Sequence, residues 1–131
     1  MSNQTNYMDI QDIRKAWDSG EYHFDMEIPA KVSEDHVFDV DLSVRRNREM
    51  VQEWNDKVSA LQKEKQGKNA ELSRKLTNDV VAYLMGNYGF TEVQARKIQE
   101  YVYVNYHSFM YDYFTYIDEI GDMVYDVLNG K

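Results

Sequence analysis

The sequence predicts a mainly α-helical chain, a four- to five-helix assembly carrying a small N-terminal β-ribbon. Three observations lead there. Apolar residues recur at three- and four-residue spacing over most of positions 43–131. A capping box, Thr91-Glu92-Val93-Gln94, marks a helix start in mid-chain. Only two short stretches, before position 43, switch to an alternating period of two. With 131 residues and 43% hydrophobic content, the chain is long enough to bury a core, and it is read as a single domain, 1–131.

The first elements lie in residues 8–42, after a polar segment, 1–7, that is expected to be flexible. Residues 8–18 form an amphipathic helix, with Ile10, Ile13 and Trp17 on one face and Gly20 as its stop. Tyr22, Phe24, Met26 and Ile28 then alternate with His23, Asp25 and Glu27, and Pro29 closes the run. Phe38, Val40 and Leu42 alternate with Asp39 and Asp41. The two runs would pair as an antiparallel ribbon, which must lie on helices because an isolated ribbon is marginal in water.

From Ser43 the helical period takes over, and 43–131 is read as the helical part. Val44, Val51 and Val58 are seven apart, with Trp54 and Leu61 at the matching positions and Asn47 as a polar exception. The stripe lapses through the polar residues 62–69, which include Gly67, and resumes with Leu72, Leu76, Val80 and Leu84. Two geometries compete: a helical hairpin turning at Gly67, or one long helix with a stutter. A glycine within eight polar residues favours the turn, with the 44–61 seam packing against the 72–84 helix. Gly86 and Gly89 mark a second break, and Phe90 is placed to staple the next helix. A 3–4 rhythm then runs from Ile98 through Val102, Phe109, Met110, Tyr113, Phe114, Ile117, Ile120 and Val124 to Leu128. It reads as one helix or as two divided near His107-Ser108, ending at Asn129-Gly130.

Charge and composition narrow the chemistry. Net charge is −8, which argues against general nucleic-acid binding, although residues 43–100 hold a small excess of bases. There is no cysteine, no apolar stretch long enough to span a membrane and no secretory signal pattern, so a cytoplasmic protein is expected. Neither G-x-x-x-x-G-K-[ST], G-x-G-x-x-G nor G-x-S-x-G occurs, and the three histidines are scattered. No catalytic residue and no cofactor is assigned. The one metal-binding arrangement worth naming is His23, Asp25 and Glu27 on the polar face of the first strand-like run, a pattern that a solvent-facing strand also produces.

The unusual composition lies near the C-terminus. Seven of the eleven tyrosines fall between Tyr101 and Tyr125. A helix buries one stripe, so some of them must face outward or meet a partner. Asp118, Asp122 and Asp126 stand at i, i+4 and i+8, a column with carboxylates about 6 Å apart, flanked by Glu119 and with no Lys or Arg in 112–130. That spacing resembles phosphates along a nucleic-acid strand, and it is equally the pattern of a solvated face. The candidate partner-binding residues are Tyr103, Tyr111, Tyr116, Asp118, Glu119, Asp122 and Asp126, facing a basic protein surface.

Taken together, the short acidic chain, its Tyr/Asp-rich end, Tyr88-Gly89-Phe90-Thr91 opening a helix, and the passage Ile28-Pro29-Ala30-Lys31-Val32 through Asp35-His36-Val37-Phe38-Asp39 resemble small accessory proteins of large tailed phages infecting Gram-positive bacteria. The resemblance implies a non-enzymatic binder of a host macromolecule, such as a polymerase, protease, nuclease or defence component. A structural or assembly protein is the alternative it leaves open, with a homodimer within reach. A small metal-dependent enzyme is the third expectation.

Overall fold

A computed structural model describes residues 8–130, with four α-helices: α1 (Ile10–Asp18), α2 (Val44–Tyr88), α3 (Glu92–Tyr106) and α4 (Met110–Leu128). The expectation for residues 1–7 lies outside the described residues. The chain forms two compact units, one of Phe24–Glu71 and one that combines the N-terminal residues to His23 with Leu72–Lys131. Among the described residues no helix is long and apolar enough to cross a membrane.

The helix boundaries follow local chemistry. Gly20, Gly89 and Gly130 adopt positive φ just beyond α1, α2 and α4, the left-handed geometry that ends a helix at least cost in glycine. At the start of α3, the Thr91 hydroxyl accepts from the Gln94 N–H and the Gln94 side chain accepts from the Thr91 N–H, the reciprocal cap read from the sequence. Phe90 and Ala95, at the staple positions, are both buried. The rhythm after position 92 divides into two helices, parted at residues 107–109.

Gly67 is not a turn. α2 runs through it without a break, and Gly67 is absent from the positive-φ glycines. The polar stretch that suggested a loop consists largely of Gln, Lys and Glu, which have high helix propensity, so one glycine costing about 1 kcal/mol does not end the helix. The 44–61 seam therefore cannot fold back on 72–84.

The β-ribbon is also absent: no strand occurs among the described residues. The alternation itself is real, because Tyr22, Phe24, Met26 and Ile28 are buried or half-buried while His23, Asp25 and Glu27 are exposed. In the Phe24–Glu71 unit the partner of the extended chain is helix α2 rather than a second strand. The Asn69 side chain accepts from Phe24 N–H, and Lys65 Nζ donates to Met26 O at 3.4 Å. Trp54 Nε1 donates to Ala30 O at 2.9 Å. The Asn55 amide bonds both Val32 N–H and Val32 O, each at 2.9 Å. Asn47 Oδ1 accepts from Phe38 N–H and Asp39 N–H, while its Nδ2 donates to Asp39 O at 3.1 Å. From Phe24 to Asp39 the helix partners run from Asn69 back to Asn47, so this extended segment, the strap, runs antiparallel to α2. The anchors share a helix face with Val51 and Val58, which the strap covers. Burying each such valine contributes about 1.5–3 kcal/mol. The polar exception, Asn47, is itself 6% exposed. Ser43 then caps α2, its hydroxyl accepting from Arg46 N–H at 3.0 Å.

In the other unit, α3 and α4 pack as a helical hairpin, and α1 lies on α4. With the last turns of α2 they enclose one core, centred on Ile13, Val80, Leu84, Val102, Tyr113, Phe114 and Ile117.

Candidate interaction surface

The tyrosines near the C-terminus divide by role. Tyr113 is fully buried, its hydroxyl accepting from Gln99 Nε2 at 3.3 Å, and burial pushes its phenol up to about 12. Tyr116 stacks on Tyr106 with ring centroids 3.9 Å apart, locking α3 to α4. Tyr103 stacks on His107 at 4.7 Å and stays partly exposed. Tyr111 is exposed, and the Arg14 guanidinium lies 4.6 Å from its ring centroid while also reaching Thr115 Oγ1. Tyr101 is also exposed.

The acidic column divides into carboxylates that bond tyrosines of α2 and one that does not. Tyr83 Oη donates to Asp118 Oδ1, and Tyr88 Oη donates to Asp122 Oδ1 at 2.6 Å. Burial, followed by the neighbouring carboxylates, raises both phenols well above their ordinary value, and it holds the Asp118 carboxyl above the usual carboxylate range. The Tyr83 bond works against that rise in Asp118 by favouring the ionised form. Asp118 and Asp122 thus tie α4 to the end of α2. Glu119 and Asp126 are exposed, and neither side chain forms a hydrogen bond or ion pair among the described residues. Asp126 continues the column one turn beyond Asp122, and Glu119 flanks it.

The remaining sequence-predicted site has a different outcome. The His23 ring packs edge-on against Trp17, with centroids 4.0 Å apart. Asp25 and Glu27 are exposed. Among the described residues no group of three or more His, Asp or Glu side chains is placed to hold a metal ion.

The residues that sequence reasoning missed form a groove. On the outer side of the α3–α4 hairpin, Ile98 and Tyr101 of α3 face Ile120, Val124 and Leu128 of α4 across a cleft of about 370 Å³. Gln94 and Lys97 supply its polar lining. Met123 and Val127 of α4 extend the apolar surface beside it, at 55% and 69% exposure. Ile98, Ile120, Val124 and Leu128 all belong to the 3–4 rhythm that reads as core. The available signal was the width of the apolar arc: with Met123 and Val127 added, α4 carries more apolar surface than one packing face uses.

Comparison of this chain with protein-family models, with curated proteins and with solved structures finds no match.

Proposed function

We propose that this chain is a non-enzymatic interaction protein, of the kind large tailed phages encode, that binds a host macromolecule and modulates or inhibits it. The observation that carries this reading is the open apolar groove on α3 and α4, next to a helix with five acids and no Lys or Arg. Apolar surface left concave and exposed is a common mark of a recognition site, and the acidic surface of α4 steers a partner of opposite sign. The partner is a protein with a basic surface, met in the cytoplasm of the host.

The test is a pull-down from bacterial lysate with the wild-type chain and with Glu119→Lys/Asp126→Lys, two solvent-facing carboxylates of α4 whose side chains are unbonded among the described residues. A stoichiometric partner, held less as salt rises and lost by the double variant, supports the reading. Equal capture by both chains removes the acidic surface from recognition.

A second reading, a homo-oligomeric assembly protein, is favoured by a separate observation in the Phe24–Glu71 unit. Val37, Phe38, Val40, Leu42, Val44 and Trp54 are exposed there, with Val40 at 86%. A wild-type chain that sediments as a stable oligomer and captures no host protein supports this alternative.

A further inference from the structure

The Phe24–Glu71 unit is closed on one side by a thin cover. Its buried apolar side chains are Val51 and Val58, at 6% and 1% exposure, and both belong to α2. Among the described residues, no side chain of the segment over them, 24–42, is buried: Phe24, Met26, Ile28 and Val32 are half-buried and the rest are exposed. No main-chain group of the strap bonds a main-chain group of α2. The polar fastening consists of side chains of the helix, those of Asn47, Trp54, Asn55, Lys65 and Asn69. A segment with so little buried area opens at lower free energy than a packed helical core.

α2 depends less on the strap than the strap depends on α2. A helix satisfies its main chain internally, and Arg, Lys, Glu and Gln, all good helix formers, make up much of residues 45–68.

What the strap covers is a seam with a coiled-coil period. Val44, Val51 and Val58 recur every seven residues, and Asn47, Trp54 and Leu61 recur every seven at the matching positions. The strap closes this seam incompletely, since Val44 at its end stays 69% exposed. Knobs-into-holes packing on such a seam takes a helix of the same period, and a second copy supplies one in the same phase. In a parallel, in-register pair, Met50 of one copy faces Asn55 of the other and Lys57 faces Gln62, so no like charges meet there. Lys65, at the next valine position, ends the apolar run at under three heptads, and Asn47 adds a polar layer. The pairing is therefore weak, and a strap held by a few side-chain bonds competes with it.

On this basis we infer that the strap is an autoinhibitory cover: closed, it keeps the seam of residues 44–61 from a second copy, and released, it lets two α2 helices pair along that seam. The inference goes beyond the interaction reading and does not use the α3–α4 groove, so the lysate experiment with Glu119→Lys/Asp126→Lys succeeds or fails independently of it.

The test releases the strap from either side in the full chain. Val32→Pro/Phe38→Pro removes two N–H groups that bond Asn55 and Asn47. Asn55→Ala/Asn69→Ala removes anchors from the helix, at positions outside the apolar seam. In the wild type, amides 24, 32, 38 and 39 are expected to exchange at least about tenfold faster than those inside α3. Both variants should keep the far-UV helix signal and exchange faster still over the strap. By sedimentation equilibrium they should dimerise at least about tenfold more tightly than wild type. Adding Val58→Asp to either should restore the monomer, because it sets carboxylate against carboxylate within the seam.

A released, helical chain that stays monomeric overturns the inference, as does a dimer that survives Val58→Asp. Strap amides as slow as those of α3 in the wild type overturn it as well. So does loss of the helix signal in both release variants, because the seam must stay formed once the strap leaves. A wild type that already dimerises as tightly with its strap closed overturns it too, and supports the assembly reading instead.

Discussion

Replacing Gly67 with alanine measures whether α2 is one helix. In the structure Gly67 lies in the interior of Val44–Tyr88 and is exposed. A Cβ built there meets nothing within 4 Å, and the residue has no positive φ. Alanine therefore brings no clash and no backbone strain, and it removes the entropy that glycine loses on entering a helix. The gain is about 0.8–1 kcal/mol from propensity. For a chain of this size, that raises the melting midpoint of α2 by roughly 3–5 °C. Circular dichroism of the helix signal during a thermal melt, paired with a urea titration, reads the shift. At a turn, Gly67 would hold a left-handed conformation in which alanine costs about 1–2 kcal/mol. A lowered midpoint in Gly67→Ala therefore refutes the continuous helix and restores the hairpin.

The same substitution at Gly121 should have the opposite sign. A Cβ there would stand 2.8 Å from Tyr88 Cε2 and 3.0 Å from Cζ, in a ring stacked on Phe90 and hydrogen-bonded to Asp122. Overpacking of about 1–3 kcal/mol outweighs the propensity gain, so Gly121→Ala should lower the melting midpoint, and Tyr88→Leu in the same chain should recover much of the loss. Asn47→Leu leaves the Phe38 and Asp39 N–H groups without their acceptor and should cost about 2–3 kcal/mol, read by denaturant titration, with faster amide exchange at those two residues. The raised Asp118 carboxyl means that the folded state holds this proton more tightly than the unfolded one. Its contribution to stability is full below the ordinary carboxylate pKa and falls as pH rises through the raised value. Asp118→Asn lacks that titration while keeping an acceptor for Tyr83, so its melting midpoint should gain on wild type as pH rises from strongly acid to neutral. A constant difference across that range refutes the assignment.

What the sequence made legible was local. The capping box at Thr91, the glycine stops and the helical rhythm after position 92 depend on neighbours within one or two turns, and the structure has them where the residues put them. The 22–28 alternation also told which side chains face inward. It could not tell what they face, since period two reports an extended chain and says nothing of its partner. Gly67 misled because a glycine among polar residues looks the same in a turn and in an exposed helix, and only its φ separates the two. The acidic column was laid out correctly on α4. Its two internal bonds come from Tyr83 and Tyr88, about 35 positions earlier, a distance across which no periodicity connects residues. The groove was hidden for a related reason: its walls belong to two helices, each of which alone reads as ordinary core.

The fastening of the strap has a consequence for how this protein can change. Every anchor between 24 and 39 reaches main-chain atoms of the strap, and the reaching side chains all belong to α2. These bonds therefore hold the path of the strap without reading its side chains, although the inward Phe24, Met26 and Ile28 are half-buried. Proline is barred at positions 24, 32, 38 and 39, whose N–H groups are used, whereas outward side chains such as Glu34, Asp35 and Val40 can be exchanged with little effect on the path. Asn47, Asn55 and Asn69 have no such latitude. A saturation library should show three intolerant asparagines on the helix opposite a permissive outer face, a surface on which new specificities can be tried while the scaffold beneath stays constant.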